Sequence, residues 1–180
     1  PPIAVAELLP STPALEIHRQ LEAFMIWGMY PDVITRKNPP QTTITHIASH
    51  YLYKDALEYQ TIKNPELVEK LLQALALQIG NEVSLNELAM TLEIDKKTVA
   101  NYLRILEQSF VIFRLLPYSR NLRSEINRKR KIYFWDTGVR NALIKNFNPL
   151  TLRTDVGALW ENFCLSERRK HHAIKGISPN

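Results

Sequence analysis

Three polar side chains recur along one helical segment, at residues 97–104, and have the chemistry to contact nucleic-acid bases. Lys97, Asn101 and Arg104 are spaced four and three residues apart, so a helix places them in one row. In the major groove, arginine donates two hydrogen bonds to guanine, and asparagine pairs with adenine. Lys96, at the amino end of the row, would lie near phosphates. The spacing predicts a DNA contact; an ordinary solvent-facing or protein-joining helix surface is the alternative.

A basic segment follows this helix. Residues 114–131 contain seven basic residues and one acid, Glu125, for a net charge of +6, whereas the whole chain carries +5. Such a run favours contact with a polyanion, although a solvated loop would have the same composition. The basic residues that we expect to contact DNA here are Arg120, Arg123, Arg128, Lys129, Arg130 and Lys131.

Local signals predict the elements that position these residues. Ser84 and Glu87 have the spacing of a capping box, which predicts a short helix over residues 85–91. Asp95 is expected to cap the next helix, whose inward face comprises Val99, Tyr102, Leu103 and Leu106. Residues 110–118 and 131–136 are rich in β-branched and aromatic side chains and are expected to be strands. A helix-turn-helix followed by a two-stranded wing predicts a winged helix over residues 62–137.

The rest of the chain favours helices. Apolar periodicity predicts helices over residues 14–27 and from about residue 41 to Tyr59, separated by a turn-rich connector at residues 31–40. Asn64, Pro65 and Gly80 have the chemistry that begins and ends a further helix. A helix is also expected after Gly138, and a last one at residues 156–170. The predicted fold is mainly α with a small β wing.

Catalytic and metal-binding patterns are missing from the sequence. None of the five glycines has the spacing of a phosphate-binding loop, so we expect no nucleotide hydrolysis by this chain. His46 and His50 are four residues apart without a nearby third ligand, and we expect no catalytic, cofactor or metal site. The single cysteine, Cys164, is expected to be a buried, inert thiol. With no long uncharged apolar run, the chain is expected to be soluble and cytoplasmic, with no membrane partner.

Three motifs carry a family resemblance over residues 20–170. They are LxxLAxxLxIDxKTVxxYLxxLExxFVIxxLxPYSRNLR, KIYFWDTGxRNALI and GALWENFxxSE. In these the chain closely resembles the carboxy-terminal region of prokaryotic AAA-type ATPases that carry a domain of unknown function. The resemblance implies an ATPase module before this region and a restriction-endonuclease-like domain after the winged helix.

The resemblance also implies how the chain is divided. Residues 1–61 would be a helical linker or lid behind the ATPase module, and residues 138–180 the first helices of a truncated nuclease-like α/β domain, with Glu161 at its acidic position. ATP and Mg²⁺ would bind only in the ATPase module, and Glu161 alone cannot hold the metal of a nuclease. The expected partners are double-stranded DNA, or else the chain's own ATPase module or another protein, for which this region would be a docking scaffold.

Overall fold

The computed structural model describes residues 14–35, 39–51, 64–115 and 130–176 of the 180-residue chain. In these ranges it has eight α-helices and a small three-stranded antiparallel sheet, as the sequence predicted in outline. The helices are α1 (Ala14–Trp27), α2 (Pro31–Thr35), α3 (Pro40–His46), α4 (Pro65–Leu77), α5 (Leu85–Thr91), α6 (Lys96–Gln108), α7 (Thr137–Leu143) and α8 (Val156–Ile174). The strands are β1 (Glu82–Val83), β2 (Ile112–Leu115) and β3 (Arg130–Phe134). A π-helical turn, Ile47–Tyr51, continues α3, and a 3-10 turn, Leu150–Leu152, precedes α8.

Side-chain caps begin three of the helices. The Ser84 hydroxyl accepts a hydrogen bond from the Glu87 amide at 3.4 Å, and the Asp95 carboxylate accepts one from the Thr98 amide at 2.9 Å. Both were predicted from sequence. Asp136 caps α7 in the same way. The capping role predicted for Asn64 is wrong, because that side chain makes no cap hydrogen bond and α4 begins on Pro65 alone.

Three helices end in the same backbone motif without a glycine. Glu93, Phe110 and Lys145 follow α5, α6 and α7, with φ angles of 54°, 54° and 52°. After α6, the Phe110 amide donates to the Glu107 carbonyl and the Val111 amide to the Leu106 carbonyl, which is the hydrogen-bond pattern of a Schellman motif. A residue with a β-carbon in this left-handed conformation costs about 1–2 kcal/mol relative to the right-handed one. The backbone of these three residues is therefore strained.

The sheet has the strand order β1-β3-β2, with β3 in the centre. Ile112 pairs with Phe134 and Arg114 with Ile132, while Glu82 pairs with Lys131 on the other edge. The two-residue strand β1 was not predicted, because two residues carry no periodicity. One sheet face, with Ile112, Ile132 and Phe134, enters the core, and β3 contacts α8 as well.

A single hydrophobic cluster draws on all three segments into which the sequence was divided. It runs from Met25 in α1 through Leu71 in α4 and Leu106 in α6 to Phe163 in α8. Helix α7 lies at the centre, since all seven of its residues are buried and it contacts α1, α3, α4, α8 and β3. The helices outside residues 64–115 are thus packed into the same core as those within it.

Two glycines allow the end of α1 to approach the start of α7. A β-carbon on Gly138 would lie 2.0 Å from the Trp27 carbonyl oxygen, and one on Gly28, whose φ is +83°, would lie 2.1 Å from an Asp136 carboxylate oxygen. That carboxylate is buried and accepts hydrogen bonds from the Met29 amide at 2.7 Å and the Val139 amide at 3.0 Å. Asp136 therefore joins two chain segments that are more than 100 residues apart in sequence. Burial raises the pKa of its carboxyl group.

Polar side chains of α7 donate hydrogen bonds to backbone carbonyls at the ends of the neighbouring helices. The Asn141 amide donates to the Met25 and Ile26 carbonyls at 3.0 and 2.8 Å, and Arg140 donates to the Ala76 carbonyl at 2.8 Å. These carbonyls belong to the last turns of α1 and α4, where helical partners are lacking. Because these three acceptors are backbone carbonyls, the contacts with α1 and α4 depend on the position of the helix ends and not on their side chains.

An ion cluster ties the 3-10 turn to α7. Asp155 accepts two hydrogen bonds from Arg153, each 2.8 Å long, and pairs with Arg140 as well. The side chains of Arg140 and Arg153 are almost fully buried, so the one carboxylate balances two guanidinium groups that water does not reach. The hydrogen bonds from Arg153, followed by those from Arg140, hold the pKa of Asp155 well below its usual range.

Two predicted element boundaries are wrong. The connector expected at residues 31–40 contains helix α2, because Pro31 occupies its first position and Val33 is buried. The last helix does not end at residue 170 but continues to Ile174. The helix expected to reach Tyr59 is seen as α3 and the π-helical turn; its remainder lies outside the described residues.

We expect Gly138→Ala to lower the free energy of unfolding by about 3 kcal/mol or more, because the new methyl group would meet a backbone carbonyl that cannot rotate away. Gly157→Ala is the matched control, since nothing lies within 4 Å of its added β-carbon. That variant should be unchanged or more stable by up to about 1 kcal/mol. Urea unfolding of the two variants measures the difference, and equal midpoints would contradict the close packing of α1 on α7.

We expect Asp155→Asn to destabilise the protein by about 3 kcal/mol at neutral pH, because it leaves two buried guanidinium groups without a counter-charge. A depressed carboxyl pKa contributes stability that is present above the ordinary value of roughly 3.9 and is lost as the pH falls through the folded value. The difference between wild type and variant should therefore shrink below about pH 4. Denaturant midpoints across that range test this; a constant difference would show that Asp155 does not titrate as described.

Candidate nucleic-acid interface

Helix α6 has one buried face and one exposed polar face. Val99, Tyr102, Leu103 and Leu106 are buried, as predicted. Lys96, Lys97 and Arg104 are exposed and Asn101 is half-buried. The periodicity of the helix thus places the predicted contact residues of α6 on the side turned away from the core.

Arg104 and Asn101 are joined on this face. A guanidinium nitrogen of Arg104 donates a hydrogen bond to the Asn101 side-chain oxygen at 2.9 Å. Arginine has donors only, so the atom that faces it must be the amide oxygen, and the Asn101 amide nitrogen is left free to donate. The pair therefore presents mainly hydrogen-bond donors, which suit the acceptor atoms of guanine or of phosphates.

The amino end of α6 combines a cap with two lysines. Asp95 is exposed, and its hydrogen bonds from Thr98 lower the pKa of the carboxyl group, so it stays charged. Neither Lys96 nor Lys97 forms an ion pair with a described carboxylate. Two positive charges are thus available to an external anion beside the amide groups of the first helical turn.

The side chains of Arg130 and Lys131 point to opposite faces of strand β3. Successive side chains of a strand point to opposite faces, so Arg130 shares a face with Ile132 and Phe134, and Lys131 shares one with Tyr133. The Lys131 ammonium lies 3.1 Å from a Glu161 carboxylate oxygen of α8. Lys131 thus faces α8 and is already paired, whereas Arg130 lies on the face of the sheet that packs toward the core.

Glu161 also accepts a hydrogen bond from the Tyr133 hydroxyl at 2.6 Å. This bond, followed by the contact with Lys131, lowers the pKa of Glu161. Burial, and then the Glu161 carboxylate, raise the pKa of the tyrosine. Glu161, which the resemblance places at the acidic position of a nuclease-like domain, therefore holds α8 against β3 in this structure.

Other basic residues of the segment 114–131 differ in their surroundings. Arg114 is paired with Glu107 of α6 and is half-buried. The contacts predicted for Arg120, Arg123, Arg128 and Lys129 lie outside the described residues. Of the residues predicted to contact DNA, those that the structure describes and that form no ion pair with a described carboxylate are thus Lys96, Lys97, Arg104 and Arg130.

Asn162 of α8 makes a contact that the sequence did not indicate. Its side-chain oxygen accepts from the Phe134 amide and its side-chain nitrogen donates to the Phe134 carbonyl, each at 2.8 Å. An asparagine amide has the same donor and acceptor as a peptide group, so Asn162 pairs with β3 as a neighbouring strand would. The signal in the sequence was an asparagine between Leu159 and Phe163, on the apolar face of α8. In the structure this asparagine is fully buried.

Among the residues that the structure describes, no group of three or more histidine, cysteine or acidic side chains could hold a metal ion. The prediction that Cys164 is buried is wrong: it is exposed on the outer side of α8. Displacement of water by its neighbours, and then the Glu167 carboxylate, raise the pKa of this thiol, which disfavours the reactive thiolate. In the same ranges, no helix has the length and apolar character needed to cross a bilayer.

The chain is similar in sequence to three curated prokaryotic proteins. Proteins described as uncharacterized in Mycobacterium bovis and Mycobacterium tuberculosis are each 34% identical to it over 83 residues, which are 45% of this chain and 19% of each relative. An uncharacterized protein of Methanocaldococcus jannaschii is 33% identical over 94 residues, 51% of this chain and 20% of the relative. The chain thus spans about a fifth of the length of these curated relatives. No solved structure matches it.

The family described as a domain of unknown function, DUF8612, matches residues 18–150. The matched residues include α2 to α7, all three strands and the exposed face of α6, together with most of α1. Since this is well over half of the chain, the protein belongs to the DUF8612 family.

Proposed function

We propose that this chain is a non-catalytic module that contacts double-stranded DNA through a winged helix. Helices α4, α5 and α6 would form its helical part, and β2 and β3 the strands of its wing. Support comes from the order of these elements and from the four-residue turn between α5 and α6. The observation that carries the proposal is the row of exposed Lys97, half-buried Asn101 and exposed Arg104, with Lys96 beside it, on the face of α6 opposite its buried stripe.

The proposed roles follow from side-chain chemistry. Lys96 and Lys97 neutralise phosphates, which provides affinity without sequence preference. Arg104 and Asn101 donate to base edges in the major groove. Arg130 contacts the adjacent backbone together with the loop residues Arg120, Arg123, Arg128 and Lys129, whereas Lys131 serves chiefly as the partner of Glu161.

We further propose that the module works as the carboxy-terminal region of a cytoplasmic AAA-type ATPase. The motif resemblance supports this, as does the small share of the curated relatives that the chain spans. ATP and Mg²⁺ would bind to the ATPase module. Helix α8 would be the first helix of a nuclease-like domain, and the helices before residue 62 would join the winged helix to the ATPase.

A docking scaffold without nucleic-acid binding is the second candidate. It is favoured by exposed apolar side chains near the helix-turn-helix, since Met90 of α5 is 80% exposed and Leu77 of α4 is 69% exposed. Side chains of this kind suit a protein partner such as the ATPase module. The two candidates differ in their dependence on salt, because protein docking on apolar groups does not release counterions from phosphates.

We expect the chain to bind random duplex DNA in a fluorescence anisotropy titration at about 50 mM salt. The Lys96→Ala, Lys97→Ala double variant should lower the slope of log affinity against log salt by about 2, since each phosphate contact contributes about 1. Arg104→Ala should weaken binding by about tenfold, as expected for a lost base-edge contact.

Lys70→Ala is the matched control, because Lys70 is an exposed lysine on α4 outside this row. It should leave both the affinity and the salt slope nearly unchanged. Absence of binding to duplex DNA at low salt, or equal slopes for wild type and the double lysine variant, would rule out the proposed DNA contact and leave the docking scaffold.

A further inference from the structure

A second exposed feature lies at the other end of α6 from Lys96 and Lys97. Phe110 lies thirteen residues beyond Lys97, about 20 Å along the helix axis at 1.5 Å per residue, and six residues, or about 9 Å, beyond Arg104. It is 68% exposed. Phe110 therefore lies beyond the row of side chains proposed to contact duplex DNA, and variants at Lys96 and Lys97 can be compared with variants at Phe110.

A phenylalanine at position 110 lowers the stability of the folded chain. Its backbone is in the left-handed conformation, with φ of 54°, in the Schellman motif that ends α6. Glycine favours this position, and a bulky aromatic residue there is uncommon. An exposed phenylalanine also leaves apolar surface in water. Neither helix termination nor core packing explains why this residue should be aromatic.

The neighbours of Phe110 form an aromatic cluster with a cation. The ring of Phe110 meets Trp135 edge-on at 5.9 Å, and Trp135 lies 5.2 Å from the buried Phe113. The guanidinium of Arg169 lies over the rings of Phe113 and Trp135, at 4.8 and 5.5 Å. We call Phe110, Trp135 and Arg169 the aromatic platform. It offers flat faces and a positive charge on one surface.

The charges around the aromatic platform favour an anionic partner. The carboxylate of Glu107, which acts on Arg169, is paired with Arg114, and that of Glu167, two residues before Arg169 in α8, is paired with Lys170. Arg169 forms no ion pair within the described residues, although it feels the attraction of Glu107. Arg168, next to Arg169 in α8, and Lys175, directly after that helix, are both exposed. Because Glu107 is balanced by Arg114, Arg169 adds a net positive charge beside the rings of Phe113 and Trp135.

From this combination we propose that the aromatic platform binds single-stranded nucleic acid, with a base stacked on Phe110 and its phosphates near Arg169 and the end of α8. Stacking on aromatic side chains tolerates every base, and arginine adds cation-π attraction. A duplex keeps its bases stacked on one another and offers no face to Phe110. The site is thus selective for single strands and does not depend on the duplex contact proposed for α6.

The test is anisotropy with the full chain and a labelled strand of about 12 thymidines, which falls within the roughly 4–16 nucleotides of known single-strand sites. Phe110→Gly is the decisive variant. It should bind the strand about tenfold or more weakly, as expected for one lost stacking contact. Because glycine relieves the left-handed strain, its melting temperature should equal or exceed that of the wild type. If Phe110 had only a structural role, Phe110→Gly would instead lower the melting temperature.

Three further variants complete the test. Glu93→Gly relieves the same strain after α5, with φ of 54°, and should leave strand binding unchanged. Met90→Ala removes another exposed apolar side chain and should also have no effect on binding. Phe110→Tyr keeps a stacking ring and should retain wild-type binding.

Two outcomes would overturn the proposal. One is that Phe110→Gly binds the strand as tightly as the wild type. The other is that the wild type does not bind the strand at all, which would leave an apolar protein segment as the partner for Phe110. Loss of strand binding with duplex binding intact separates this site from the α6 face, as does the converse behaviour of the Lys96→Ala, Lys97→Ala variant.

Discussion

The buried helix α7 is the constraint on which the rest of the structure depends. It carries polar side chains into the centre of the core, and each must find a partner there because an unpaired buried polar group costs about 1–3 kcal/mol. Asp136, Arg140 and Asn141 find those partners in the backbone at the ends of α1 and α4 and in Asp155. The surrounding helices are thereby positioned by directional hydrogen bonds as well as by apolar contact.

This arrangement determines which surfaces remain available. Helix α6 contributes its apolar face to the core, and the sheet is covered by the core on one face and contacted by α8 through β3 on the other. The Glu161, Lys131 and Tyr133 contacts and the pairing of Asn162 with Phe134 hold α8 in place. The polar face of α6 and the aromatic platform at its carboxyl end remain exposed. Both proposed binding surfaces thus follow from how one helix is packed.

Several predictions from local signals were confirmed, although the cap predicted at Asn64 was wrong. The caps at Ser84 and Asp95 and the apolar stripe of α6 depend on residues within one or two turns of each other, so the sequence alone reveals them. Helix α2 was missed because its five residues are too few for periodicity. Cys164 was assigned to the core from residue type alone, yet the rotation of α8 about its axis turns it outward.

The sequence by itself determined a mainly helical chain with a polar, basic row on α6, because helical periodicity requires no knowledge of distant residues. Only the tertiary structure decided what the other charges do. Adjacent Arg130 and Lys131 were expected to act together, but strand geometry sends them to opposite faces, and Glu161, thirty residues away from Lys131, becomes its partner. The aromatic platform likewise joins Phe110, Trp135 and Arg169 across 59 residues. Such contacts depend on how elements pack, and composition does not encode that packing.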